Sequence, residues 1–204
     1  MKKIFIVSLM SVLAVLFLSS AVKAAEPTLQ QIAAANGIVL SNETGLEVVS
    51  VVPGKSYNIT LIAEYAAMAD GTSGGWYIAG NTGSRTVLFT GPDSPVMTKT
   101  IKIPANVTSI GFYIKPSWYP FTNWYSEKRF NIDRTDHVVI YRTQKPDGYL
   151  IGFEDLLCGG DHDYQDEVYV MGPAAPEFAF VALPVGILGL MLLFSYNTAK
   201  KKNN

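Results

Sequence analysis

Six acidic residues, Glu154, Asp155, Asp161, Asp163, Asp166 and Glu167, fall within residues 152–170, GFEDLLCGGDHDYQDEVYV. No Lys or Arg lies between Pro146 and Glu177 to neutralise them. Carboxylates crowded in this way repel one another unless a cation or ordered backbone N–H groups lie between them. Gly159 and Gly160 permit a tight reversal of the backbone, and Asp161, Asp163 and Asp166 follow at the alternating spacing of oxygen-ligand loops. Glu154, Asp155, Asp161, Asp163 and Asp166, converging from two strand ends, would suit Ca²⁺, a hard cation that takes roughly six to eight oxygen ligands. The run is not an EF-hand, because the central Gly and the terminal Glu are missing from their places. A metal-free turn held by hydrogen bonds, or a solvated acidic surface, accounts for the same residues.

Other chemistry is sparse. His137 and His162 are the only histidines, and neither a nucleophile elbow nor an HExxH helix accompanies them. Each reads as structural or exposed. The paired carboxylates of a glycosidase depend on a separation in space that the sequence does not give. Cys158 is the single cysteine, so no intramolecular disulfide forms, and it reads as a small buried apolar residue or, alternatively, as a ligand or nucleophile. The chain reads as a non-enzyme. The aromatic cluster Trp118, Tyr119, Phe121, Trp124 and Tyr125 has two readings. Exposed, Trp118 and Trp124 would stack on a glycan; turned inward, the rings would close one end of a core.

The elements that must position these residues are strands. Residues 56–65, SYNITLIAEY, alternate with Tyr57, Ile59, Leu61, Ala63 and Tyr65 on one face, the period of a half-buried strand. Short β-rich runs follow at 46–52, 76–79, 86–90, 98–103, 109–115, 137–142, 149–153 and 167–171. The separators 71–75, 81–83, 91–95, 104–106 and 145–148 are turn chemistry. Residues 26–35 predict one short helix, stopped by Asn36 and Gly37. Many short strands so spaced predict an all-β fold, an antiparallel β-sandwich of jelly-roll kind spanning residues 25–172.

Both ends differ from this body. Lys2 and Lys3 precede the apolar run 4–18, and Val22 and Ala24 occupy the −3 and −1 positions of a signal-peptidase site, which predicts a signal peptide over residues 1–24. Residues 178–196, FAFVALPVGILGLMLLFSY, carry no charge and precede Lys200, Lys201 and Lys202. Nineteen residues of helix measure ~28 Å, close to the thickness of a bilayer's hydrocarbon. The positive-inside rule keeps the lysines cytoplasmic, which makes this an exported protein of the cell surface, membrane-anchored with its body outside. Residues 25–177 hold ten Lys and Arg against seventeen Asp and Glu, a net charge of −7. Nucleic acid and anionic lipid are poor partners for that balance. Asn42, Asn58 and Asn106 head Asn-x-Thr sequons and are candidate glycosylation sites, with Asn58 inside a predicted strand.

Pro176, Glu177 and Phe178, the apolar span and the lysines together resemble the PEF-CTERM sorting signal of archaeal surface proteins, over residues 176–202. That resemblance implies an archaeosortase-type membrane transpeptidase as partner, which removes the tail and transfers the protein to a lipid. Residues 124–171 resemble the C-terminal part of the DUF4114 domain of secreted and surface proteins. The match lies in Gly152, Phe153, Glu154 and Asp155, then Gly160, Asp161, Asp163, Tyr164 and Asp166, with Gln165 where Asn is usual. It implies a β-sandwich module of undefined activity. The function expected is structural or adhesive, in the envelope; the alternative is a calcium-dependent carbohydrate-binding module.

Overall fold

The computed structural model describes residues 26–43, 45–66, 71–91, 93, 95–118 and 122–174. The expected signal peptide, the apolar span 178–196, the motif Pro176, Glu177 and Phe178, and the rings of Tyr119 and Phe121 lie outside the described residues. No helix among the described residues is long and apolar enough to cross a membrane.

Among the described residues a short helix, α1 (Leu29–Ala35), precedes ten strands: β1 (Val49–Ser50), β2 (Ser56–Glu64), β3 (Ser73–Ile78), β4 (Asn81–Thr90), β5 (Thr98–Lys102), β6 (Ser109–Lys115), β7 (Trp124–Tyr125), β8 (Val138–Arg142), β9 (Tyr149–Phe153) and β10 (Glu167–Pro173). One five-stranded sheet runs β1-β6-β3-β4, with β7 beside β6; the other runs β5-β2-β10-β9-β8. Every strand pairing is antiparallel. The two sheets face each other across one apolar core. Trp76, Phe89, Ile110, Phe112 and Ile114 enter it from the first sheet, and Tyr57, Ile59, Leu61, Ile151, Phe153, Tyr169 and Met171 from the second. Alternation along β2 delivers Tyr57, Ile59 and Leu61 to this core as expected. Each such side chain contributes ~1.5–3 kcal/mol by leaving water.

The structure corrects the sequence reading at the glycines. Residues 71–75 were expected as a loop, yet Ser73, Gly74 and Gly75 open β3. A Cβ on Gly74 would stand 1.9 Å from the Tyr169 hydroxyl, and one on Gly75 only 2.1 Å from the Thr86 carbonyl oxygen. These glycines admit close packing in a strand and do not mark a turn. Residues 81–83, also expected as a turn, begin β4; the reversal falls one step earlier, at Ala79 and Gly80, where Gly80 has φ +81°. Tyr65, expected to point inward, is 40% exposed because β2 ends at Glu64.

Helix α1 starts at a capping box: the Thr28 hydroxyl accepts from the Gln31 backbone N–H, and the Gln31 side-chain Oε1 accepts from the Thr28 N–H. It places Leu29, Ile32 and Ala33 on Ala63, Leu150 and Val168, the outer face of the second sheet. Gly152 makes room for it, since a Cβ there would lie 2.8 Å from Leu29 Cδ2.

Candidate cation site at one end of the sandwich

Strand β9 stops at Phe153 and β10 begins at Glu167, so the acidic loop is the connection between two neighbouring strands. Its backbone is unusually bent. Cys158, Gly159, Gly160, His162 and Tyr164 all have positive φ, from +47° to +77°. One short turn of 3-10 helix, Leu157–Gly159, carries the chain outward. Gly160 is where a side chain would not fit, because its Cβ would lie 2.3 Å from Glu154 Oε1. The return leg is built from Asx turns: Asp161 Oδ1 accepts from the Asp163 N–H and Asp163 Oδ1 from the Gln165 N–H, each at 3.3 Å. An isolated parallel bridge from Gln165 to Phe153 brings the loop back to the sheet.

The five carboxylates expected to converge do so. Glu154, Asp155, Asp161, Asp163 and Asp166 line one cleft of about 330 Å³ together with Glu26, Tyr65, Leu156 and Gln165. Carboxylate oxygens of Glu154, Asp161 and Asp163 lie within 4.8 Å of one another, and so do those of Glu154, Asp155 and Asp166. Glu154 belongs to both groups. It is only 1% exposed; its Oε1 accepts from the Leu156 N–H at 3.1 Å, while Oε2 is buried with no hydrogen-bond partner. Gln165 Oε1 is in the same condition, its Nε2 being engaged by Asp163 Oδ2 at 2.6 Å and Glu26 Oε2 at 3.2 Å.

Burial dominates the electrostatics. It pushes the Glu154 carboxyl up to about 8, helped by the charges of Asp166, Asp161 and Asp163. Asp166 is pushed up to about 7 by burial against the Asp155 N–H bond, which pulls the other way at 2.6 Å. Asp155 and Asp163 are raised for the same first reason. Behind them Glu167, buried inside the sandwich and bonded by the Tyr169 hydroxyl, is pushed up to about 8. Burial and mutual repulsion oppose the ionisation of these oxygen donors, an opposition that a bound proton or a divalent cation relieves.

A polar wedge that the sequence reading missed supports the loop from below. Asp133 Oδ2 bonds both His137 Nε2 and the Cys158 N–H at 2.8 Å, and His137 Nδ1 meets the Glu154 carbonyl oxygen at 3.1 Å. Burial would raise the Asp133 carboxyl, but the hydrogen bonds from Thr135, His137 and Cys158 outweigh it and hold Asp133 below the usual carboxylate range. The four-residue step from Asp133 to His137 was its one trace in the sequence. His137 is thus buried and structural, His162 is exposed, and Cys158 is exposed where a buried residue was expected.

The two candidate stacking tryptophans part company. Trp124 is fully buried, and its indole N–H donates to the Asp155 carbonyl oxygen at 2.8 Å, so it is a core residue and no platform for sugar. Trp118 is 36% exposed and its side chain hydrogen-bonds the Asp155 carboxyl, which sets an accessible ring beside the acidic cleft. Of the sequon asparagines, Asn42 and Asn106 are exposed outside the strands, whereas Asn58 lies in β2 and its Oδ1 accepts from the Thr100 hydroxyl.

No family model matches the chain, and no curated protein matches it. Among solved structures it is similar to a high-affinity mannose-binding lectin of Ralstonia solanacearum, 14% identical over 63% of this chain and 97% of that one, with a TM-score of 0.41. The lectin CV2L of Chromobacterium violaceum, in complex with alpha-methyl-fucoside, is 16% identical over 63% and 97%, with a TM-score of 0.39. The C-terminal domain of the BC2L-C lectin from Burkholderia cenocepacia is 14% identical over 63% and 96%, with a TM-score of 0.35.

Proposed function

We propose that this chain is an exported β-sandwich of the cell surface whose acidic end takes up a divalent cation of the Ca²⁺ class, and that its task is binding within the envelope and not catalysis. The observation that carries the cation is Glu154 Oε2, a buried carboxylate oxygen without a hydrogen-bond partner, shared by two groups of three converging carboxylates. Such an oxygen must be protonated or must face a cation. An all-oxygen donor set suits hard cations, and the irregular geometry of a bent loop suits Ca²⁺ better than the strict octahedron of Mg²⁺.

The tail reading gives this site a direction. Strand β10 begins at the acidic end with Glu167 and ends at Pro173, roughly 20 Å away at ~3.3 Å per residue. The chain leaves from the opposite end of the sandwich. With residues 178–196 in the membrane, and Pro176, Glu177 and Phe178 recognised by an archaeosortase-type transpeptidase, the cleft faces outward. Glycans on Asn42 and Asn106 fit the same exported surface.

A second reading, calcium-dependent carbohydrate binding, is favoured by Trp118, whose accessible ring is held at the cleft by Asp155, and by Tyr65, 40% exposed in the cleft wall. An aromatic face beside a cation that accepts hydroxyl oxygens is a chemistry that recognises sugars. The test is the melting temperature of the full-length chain in EDTA and in millimolar Ca²⁺, followed by glycan binding in both conditions. A rise of several degrees supports the cation site, and none overturns it. Glycan binding that survives EDTA overturns the second reading.

A further inference from the structure

The acidic cleft has a wall contributed from far away in the chain. Glu26, 139 residues before Gln165, reaches it ahead of α1 and accepts a hydrogen bond from Gln165 Nε2. The same amide group donates to Asp163 Oδ2 at 2.6 Å. One neutral NH₂ therefore serves two carboxylates. Gln165 Oε1, on the same amide, is buried in a cleft-lining residue and has no hydrogen-bond partner. An amide oxygen is a ligand that Ca²⁺ accepts as readily as a backbone carbonyl.

We propose that Gln165 is a further ligand of the cation through Oε1, and that its amide ties Glu26 and the N-terminal arm to the occupied site. This rests on the cation reading above. A cation on Oε1 polarises the amide, and the Nε2 bonds to Glu26 and Asp163 strengthen with it. Helix α1 is seven residues long, well under the ~12–15 at which an isolated helix becomes marginal, and depends on Leu29, Ile32 and Ala33 against the sheet. Leu29 rests on Gly152, two residues before Glu154, so the arm's docking point and the site share one stretch of backbone. Cation uptake then orders residues 26–36, and cation loss releases them.

The experiment is hydrogen–deuterium exchange on the full-length chain in EDTA and in Ca²⁺, together with calorimetric titration of Ca²⁺ alone. Slower exchange in residues 28–36 on adding Ca²⁺ is expected. Gln165→Ala should weaken Ca²⁺ binding by about tenfold or more and abolish the protection of the arm. Gln165→Glu separates the two roles, because it keeps an oxygen ligand but loses the NH₂ donor: Ca²⁺ binding persists while the arm stays unprotected. Glu26→Ala, which removes the acceptor on the arm, should likewise leave residues 28–36 unprotected in Ca²⁺. No Ca²⁺ binding to the parent chain overturns the cation reading itself. Binding with unchanged exchange in the arm, or Gln165→Ala binding at parental strength, overturns this inference alone. Unchanged exchange in β2, β9 and β10 shows that a variant has kept its fold.

Discussion

The indole of Trp124 lies flat on the imidazole of His137, with ring centroids 3.9 Å apart and planes 5° from parallel. Both rings are fully buried, and both reach the segment that starts the acidic loop: Trp124 through the Asp155 carbonyl oxygen and His137 through that of Glu154. The stack is therefore the floor on which the two leading carboxylates stand. Trp124→Ala should cost ~3–5 kcal/mol, because it opens a cavity and orphans a buried carbonyl oxygen. Trp118→Ala, at an accessible ring, should cost under about 1 kcal/mol and lower glycan binding instead. Urea denaturation of the two variants separates them. Equal losses would mean that Trp118 is also structural.

Asp161 is exposed and Asp163 half-buried on the return leg of the loop, where their side chains form Asx turns. Asp161→Ala with Asp163→Ala should leave the melting temperature in EDTA nearly unchanged and remove the gain from Ca²⁺. At a ligand concentration of 100 times Kd the bound cation contributes about 2.7 kcal/mol, so the lost gain is several degrees in a scan. A Ca²⁺ response that outlives the double substitution would place the cation elsewhere.

Much of the sandwich was legible because strand burial imposes a period of two. The bounds expected for β6 and β9 agree with those observed, and the alternation in β2 holds from Tyr57 to Leu61, after which an irregularity in the pairing with β10 puts Ala63 under α1 instead of in the core between the sheets. Glycine misled the reading. At Gly74 and Gly75 its role is to admit a tyrosine hydroxyl and a neighbouring carbonyl oxygen, a packing need that looks like a turn in one dimension. The five carboxylates could be named because they are close in sequence, at either end of one connection. Glu26 and the amide of Gln165 could not be assigned to the cleft, since only the pairing of β9 with β10 and the docking of α1 bring them together, and Asp133 reaches the loop from below only through its bond to the Cys158 N–H. Trp118 and Trp124 illustrate the same point: six residues apart in sequence, one is 36% exposed and the other fully buried.

The tail motif yields a prediction independent of the cleft. If Pro176, Glu177 and Phe178 are read by a transpeptidase, replacing all three with Ala should leave residues 178–204 on the mature protein in its host. The mass of the surface-extracted protein reports this directly. Processing that continues unchanged would leave the apolar span as an ordinary anchor.

Burial raises Glu154 and Glu167 to about 8 and Asp166 to about 7, from ordinary values of 4.5, 4.5 and 3.8. In each case the folded chain holds its proton more tightly than the unfolded chain. Folding therefore takes up protons between those two values, and cation-free stability should fall as pH rises through roughly 4 to 8. A bound cation reverses the preference, because it needs the ionised carboxylates and displaces their protons. Ca²⁺ should thus bind more tightly at about pH 8.5 than at about pH 5.5 and release protons on binding. Scanning calorimetry across this range, in EDTA and in Ca²⁺, should give curves that diverge as pH rises. Glu154→Gln should flatten the EDTA curve and weaken the Ca²⁺ response, since it supplies a neutral group where the parent chain must bury a charge. An EDTA curve that rises with pH would mean that these carboxylates are ionised and satisfied without any cation.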